Sequence, residues 1–211
     1  MRRLVAIMLI GLAFAGCAAE SWKSEPSGFL GNYDDLARAA GEPGVLRYEK
    51  DGALEAYTRF LIEPVTVLPR PGVDLEKLPQ EELHALAADF TAALREQLDE
   101  RYEVVETPGP DVLRIRGAIT NVVPATPALN IHPLTKLSGA GLGGASFEAE
   151  GVNAATGERV FAVMVSRGAA KRVGSGLATW ADARQVMRDW AAQFRARVDA
   201  AHAESPAADA E

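Results

Sequence analysis

The feature that most constrains this chain is its N-terminal run. Arg2 and Arg3 open it, Leu4–Phe14 are apolar without a break, and Ala15 and Gly16 lead into Cys17, the single cysteine of the sequence. A positive start, an apolar middle and small residues before a cut point make up a cleaved secretory signal. The segment is too short to span a bilayer: Leu4–Phe14 as a helix reaches roughly 16 Å, about half of a hydrocarbon core of about 30 Å. With one thiol, no intrachain disulfide is available to the folded body.

Small residues directly before a cysteine resemble the bacterial lipobox, in which the thiol is acylated and the chain is cut just ahead of it. The resemblance implies a signal peptide over residues 1–16, lipidation at Cys17 and a tether over residues 17–27. Phe14 stands where leucine is usual. Two or more acyl chains, at about 0.8 kcal/mol per buried methylene, suffice for stable anchoring. Ala18, rather than aspartate, after the cysteine resembles the outer-membrane sorting pattern and implies the periplasmic face of that membrane.

Charge narrows the partners. Removing residues 1–16 takes away Arg2 and Arg3 and no acid, so a chain beginning at Cys17 has 20 basic against 29 acidic residues. An acidic body is a poor match for nucleic acid. Its length suits one hydrophobic core, and we expect a single domain over residues 28–202 with a disordered acidic tail over 203–211.

Along that domain, Ser27–Leu36 places Gly28 and Gly31 around Phe29 and Leu30, with Tyr33 just beyond. Phe29, Leu30 and Tyr33 either fold back over the core or offer a partner surface. Gly41–Gly52 is read as loop. Tyr57–Leu68 has strand composition broken by Pro64. A helix is expected from Pro79, because Leu83, Leu86, Ala87, Phe90, Leu94 and Leu98 recur at offsets of three and four; His84 and Asp89 lie off that stripe. Tyr102–Val105 and Val112–Val123 are expected strands, the latter with Leu113, Ile115 and Ile119 on one face and Arg114 and Arg116 on a wetted one.

Asn130–Ala145 holds a literal G-x-G-x-x-G at Gly139, Gly141 and Gly144. A dinucleotide site needs these glycines to follow a strand and open a helix. Here they lead into Ser146–Glu150, which alternates as a strand, so a flexible small-residue connection that can approach another backbone or the lipid surface fits better. Ala145–Val152 and Arg159–Arg167 read as a hairpin. Gly168–Leu177 reads as a basic, glycine-rich loop with Arg167, Lys171 and Arg172, either simply solvated or docking a partner. Thr179–Asp182 resembles a capping box, and Ala183, Val186, Trp190, Phe194, Val198 and Ala201 form the stripe of a last helix, with Trp180 and Trp190 read as core or cap packing in preference to an aromatic binding platform.

The resulting order is strand, helix, four strands in hairpins, helix. It predicts an α+β fold, a mainly antiparallel sheet with two helices packed on one face. Ser27–Tyr33, Leu46-Arg47-Tyr48, Ile62–Val65, Pro108-Gly109-Pro110 with Val112–Arg116, Thr179-Trp180 and Trp190-Ala191 together resemble the Gram-negative lipoprotein family called domain of unknown function 3313. That resemblance implies an envelope lipoprotein and carries no catalytic residue with it. The helix and strand order is also similar to the N-terminal domain of TolB, a likeness of fold alone.

Catalytic chemistry finds little footing. His84, His132 and His202 show no metal-ligand spacing, and the nucleophile-elbow, phosphate-loop and zinc-protease motifs are absent. We expect no cofactor and no metal. The favoured reading is a non-catalytic envelope lipoprotein whose domain binds another envelope component through Phe29, Leu30, Tyr33, Lys171 or Arg172. The alternative is an enzyme or a small-ligand or lipid carrier acting on envelope material, which requires a concave pocket, for instance around His132.

Overall fold

The computed structural model describes residues 25–130, 142–168 and 179–204. Their strands are β1 (Ala37–Arg38), β2 (Val45–Glu49), β3 (Arg59–Ile62), β4 (Thr66–Val67), β5 (Glu103–Val104), β6 (Val112–Val123), β7 (Gly144–Asn153) and β8 (Arg159–Gly168). The helices are α1 (Gln80–Asp99), the short α2 (Pro127–Asn130) and α3 (Ala181–Glu204), with a 3-10 turn at Leu54–Ala56.

One eight-stranded sheet runs β1-β2-β8-β7-β6-β3-β5, with β4 also on β6. From β1 to β6 every pairing is antiparallel, and β6–β7–β8 is its long centre. The remaining pairings are parallel: β3 with β5, and both β3 and β4 with β6. Parallel neighbours need a crossover, which α1 supplies between β3 and β5. The α+β class with a mainly antiparallel sheet therefore holds. The expectation that all four later strands form hairpins does not, because β5 joins β3 instead of β6. Only β7 and β8 make the expected hairpin, turned at Asn153–Gly157 by the Asn153 side chain, which accepts the N–H groups of Ala155 and Thr156 at 3.0 and 2.9 Å.

Pro64 acts as a break. β3 ends before it and β4 resumes after it on the same partner strand, and the freed Val65 N–H is taken by Thr91 Oγ1 at 3.0 Å. A backbone donor displaced from a ladder must find another acceptor once buried.

Both long helices, α1 and α3, lie on one face. Leu83, Leu86, Phe90, Leu94 and Leu98 of α1 and Ala183, Val186, Trp190 and Val198 of α3 join Phe60, Leu113, Ile115, Ile119, Phe147 and Phe161 in one buried cluster. Each fully buried large apolar side chain contributes about 1.5–3 kcal/mol, so this cluster dominates the fold. His84 and Asp89 point outward, as their offset from the stripe predicts.

The stretch read as loop at Gly41–Gly52 contains β2, paired with β8 over five residues. Gly44 makes that approach feasible. Its φ is +77° and a side chain there would fall on the Ser166 carbonyl oxygen. The expectation of a close backbone approach near the glycine-rich stretch is realised at Gly143, where a Cβ would come within 2.8 Å of Val123 O and Ala125 N. Asp182 of α3 accepts the Gly143 N–H at 3.0 Å, tying the helix start to the start of β7.

Candidate functional site

The sheet has two differently furnished faces. On the face away from the helices, alternation points Ser146, Glu148 and Glu150 of β7 and Arg114 and Arg116 of β6 outward from the main core, and residues 27–33 lie across them. Leu30 is buried against Ala162 and Met164, with Phe29, Tyr33, Leu36, Leu46 and Tyr48 around it. Gly28 and Gly31, both at positive φ, turn the chain at this point. Glu148 is 0% exposed. One of its oxygens accepts the Ser27 N–H at 2.7 Å and the other the Tyr33 hydroxyl at 2.6 Å. The Tyr33 oxygen in turn accepts the N–H groups of Gly28 and Leu30 at 2.9 and 3.2 Å. Burial first, and then donation to Glu148, raises the Tyr33 pKa.

Glu150, equally hidden, is held by two guanidinium groups. Arg116 Nε donates to it at 2.6 Å and Arg159 Nε at 2.8 Å. Arg159 also donates to the carbonyls of Leu30 and Asn32, at 2.6 and 2.9 Å, and Arg116 lies 5.3 Å from the Phe29 ring centre. A buried carboxylate is tolerable only when its charge and lone pairs are met in this way. The arginine face expected to be wetted is thus half covered: Arg116 is committed to Glu150, and Arg114 lies 3.6 Å from Glu63. Phe29, Leu30 and Tyr33 are brought together here as a clasp on the sheet.

The helix-covered face contains space. Between β2, β8 and α3 lies a cavity of about 80 Å³ whose deep wall is Phe147, Phe161, Trp190 and Phe194. The same four aromatics border a second void of about 50 Å³, which continues toward Phe90, Leu94 and Ile115. Outward, the first cavity shares Glu42, Arg47, Gln193 and Arg197 with an open depression that also includes Arg167. Arg47 pairs with Glu42 at 2.9 Å and Arg197 with Glu49, while Arg167 has no carboxylate partner among the described residues. Trp190 is 5% exposed, its ring centre sits 4.2 Å from that of Phe147, and its indole N–H has no hydrogen-bond acceptor among the described residues.

The arrangement suits holding a molecule. Polar side chains gather at the mouth, and the interior walls are aromatic and aliphatic, the usual make-up of a ligand pocket. His84 is exposed on α1, His202 Nε2 lies 3.1 Å from the Tyr57 carbonyl, and no group of acids, histidines or cysteines with metal-binding geometry occurs among the described residues. Among the described residues the Tyr102 hydroxyl is pushed up to about 12 by burial and by its 2.7 Å bond to Asp199.

The signal segment 1–16, Cys17, the tether up to Ser24, His132, Gly139 and Gly141, Lys171, Arg172 and the tail from residue 205 lie outside the described residues. The mouth and its aromatic walls were not singled out from sequence as a site. Trp190 and Phe194 had the periodicity of core, and Arg47 and Glu49 lay in a stretch read as loop.

These features define a class: a single-sheet α+β domain with an N-terminal clasp on one face and an aromatic cavity under the helices of the other. The chain belongs to the family described as "Protein of unknown function (DUF3313)", which matches residues 25–194. It is 28% identical over 131 residues to a protein called "Uncharacterized lipoprotein YdcL" of Escherichia coli strain K12, and equally so to its counterpart in strain O157:H7. That match covers 60% of this chain and 59% of the relative. Among solved structures, a PelC dodecamer from Paraburkholderia phytofirmans matches 73% of this chain and 95% of its own at 13% identity and a TM-score of 0.42. A DUF4136 family protein from Bacteroides thetaiotaomicron matches 79% of this chain and 98% of its own at 13% identity and a TM-score of 0.38.

Proposed function

We propose that this chain is a non-catalytic envelope lipoprotein, anchored through an acylated Cys17 at the periplasmic face of the outer membrane, whose domain binds another envelope component. The N-terminal run and the lipoprotein relatives in Escherichia coli support the anchor. The observation that carries the binding reading is the cavity between α3 and the sheet, open through an arginine-lined mouth and walled by Phe147, Phe161, Trp190 and Phe194. Its charged side chains stand at the rim and are mostly paired to each other, an arrangement for recognition rather than proton transfer.

With Leu30 buried and Tyr33 engaged by Glu148, the proposal puts the contact at the mouth rather than at the clasp. Lys171 and Arg172, which follow Arg167 closely in the chain, belong to the same proposal. The test is photo-crosslinking in intact cells from a reactive residue placed at exposed Gln193, with exposed Ala88 on the outer side of α1 as the control. A discrete light-dependent adduct from Gln193 and none from Ala88 is expected. No adduct, or the same adducts from both positions, would count against the reading.

A further inference from the structure

We propose that the cavity takes a single-chain amphiphile with an anionic head, a fatty acid or a monoacyl ester carrying a free acid group. This deepens the binding reading above and rests on it. Three independent observations lead here. The first is shape: the outer and inner voids, about 80 and 50 Å³, lie against the same Phe147, Phe161, Trp190 and Phe194 side chains, so a chain entering the outer void meets the inner one across those walls. Together they approach the ~150 Å³ of an engineered apolar cavity that takes up benzene, which is room for about six carbons of one chain and too little for two chains side by side.

The second is charge. At the mouth Arg47, Arg167 and Arg197 face Glu42 and Glu49, and the excess cation is Arg167, which has no carboxylate partner among the described residues. On a chain of net charge −7, a cationic opening to an apolar path favours an anionic head outside and a hydrocarbon tail within. The third is the Trp190 indole N–H, buried beside both voids with no acceptor among the described residues. A buried donor left unmet is destabilising, and the carbonyl oxygen of a monoacyl ester, which lies between the acid head at the mouth and the tail within, would satisfy it.

The test uses the mature acylated protein in lipid nanodiscs and 8-bromooctanoate, whose bromine quenches tryptophan on contact. Its uncharged counterpart is 8-bromooctanol. The account expects saturable quenching by the acid that disappears in Trp190→Phe, where the remaining tryptophans report only background. Arg167→Ala should weaken the acid about fivefold, the effect of one partly exposed ion pair, and leave the alcohol within about twofold. Val163→Phe, which grows a ring into the space that Val163 borders on both sides, should abolish quenching while the thermal melt stays cooperative.

Quenching that is unchanged in Trp190→Phe and Val163→Phe would overturn the cavity as the site. Equal affinity for acid and alcohol, with Arg167→Ala indifferent, would overturn the anionic head. Equal competition by dihexanoyl phosphatidylglycerol would overturn the single-chain assignment. If no probe binds while Gln193 still yields its discrete cross-link, this inference falls and the binding function stands; if both fail, both fall.

Discussion

The Tyr33 hydroxyl donates to Glu148 Oε2 at 2.6 Å, a bond between residues 115 apart in the chain that fixes the N-terminal segment to the middle of the sheet. Because Glu148 is wholly buried, its two oxygens rely on this donor and on the Ser27 N–H. Tyr33→Phe keeps the ring and removes one charge-assisted bond, so we expect a loss of about 1.5–3 kcal/mol in denaturant unfolding. Limited proteolysis should then cut between residues 25 and 36 well before the rest of the domain. An unchanged midpoint and cleavage pattern would show that the clasp does not depend on this bond.

Gly44 sets the approach of β2 to β8. Gly44→Ala would place a methyl group at φ +77° and against the Ser166 carbonyl. Overpacking and strain of this kind cost typically about 1–3 kcal/mol. Since β2 carries Val45, Arg47 and Glu49 to the cavity, the same variant should lose the Gln193 cross-link, whereas Gly72→Ala, with open space around it but a similar φ, should lose stability only.

Tyr102 and Asp199 tie α3 to the chain after α1 and give stability a defined pH dependence. Burial and donation to Asp199 lift the Tyr102 pKa from 10.0 to about 12, so its contribution is complete below pH 10 and is lost as pH rises from there toward 12. The Asp199 pKa is lowered, first by the Tyr102 hydroxyl and then by Arg195, with burial opposing. Its contribution is complete above pH 3.8 and is lost as pH falls through the depressed value. Tyr102→Phe should flatten the alkaline limb of a plot of unfolding midpoint against pH, and Asp199→Asn should remove part of the slope on the acid limb. Limbs that keep their slopes in both variants would contradict the assignment.

Ion pairs on the surface should matter far less than the core. Arg59 bridges Glu103 and Asp111 at 3.0 and 3.1 Å, yet all three are substantially solvated, and Arg59→Ala is expected to leave the unfolding midpoint nearly unchanged. Leu86→Ala, at a wholly buried position of α1, should cost about 2–5 kcal/mol by the same measurement.

The parts of the fold legible in the sequence are those whose own periodicity decides them. The α1 stripe from Leu83 to Leu98 is buried at every position named for it, and β6 occupies Val112–Val123 as read. β2 was missed because Arg47 and Glu49 reach the rim of the sheet, where they pair with Glu42 and Arg197, and charge at alternate positions disguised the Leu46/Tyr48 repeat. Parallel pairing of β3 with β6 was out of reach for a different reason. It is set by how α1 packs across the sheet, and nothing local in Arg59–Ile62 encodes it.

The clasp was half legible: two glycines around Phe29 and Leu30 signalled a turn with an apolar tip, but Glu148, its anchor, looked like an ordinary polar position of an alternating strand. The cavity left no signature at all. Trp190 reads as core by spacing, and its unmet N–H emerges only when β7, β8 and α3 are assembled around it.

An anchored binding domain requires the anchor, and the most direct measurement is intact mass and N-terminal fragmentation of the chain isolated from outer-membrane fractions of its native host. The account predicts a mature chain that starts at Cys17 and carries acyl groups on that residue. A mature N-terminus elsewhere, or an unmodified Cys17 thiol, would contradict it.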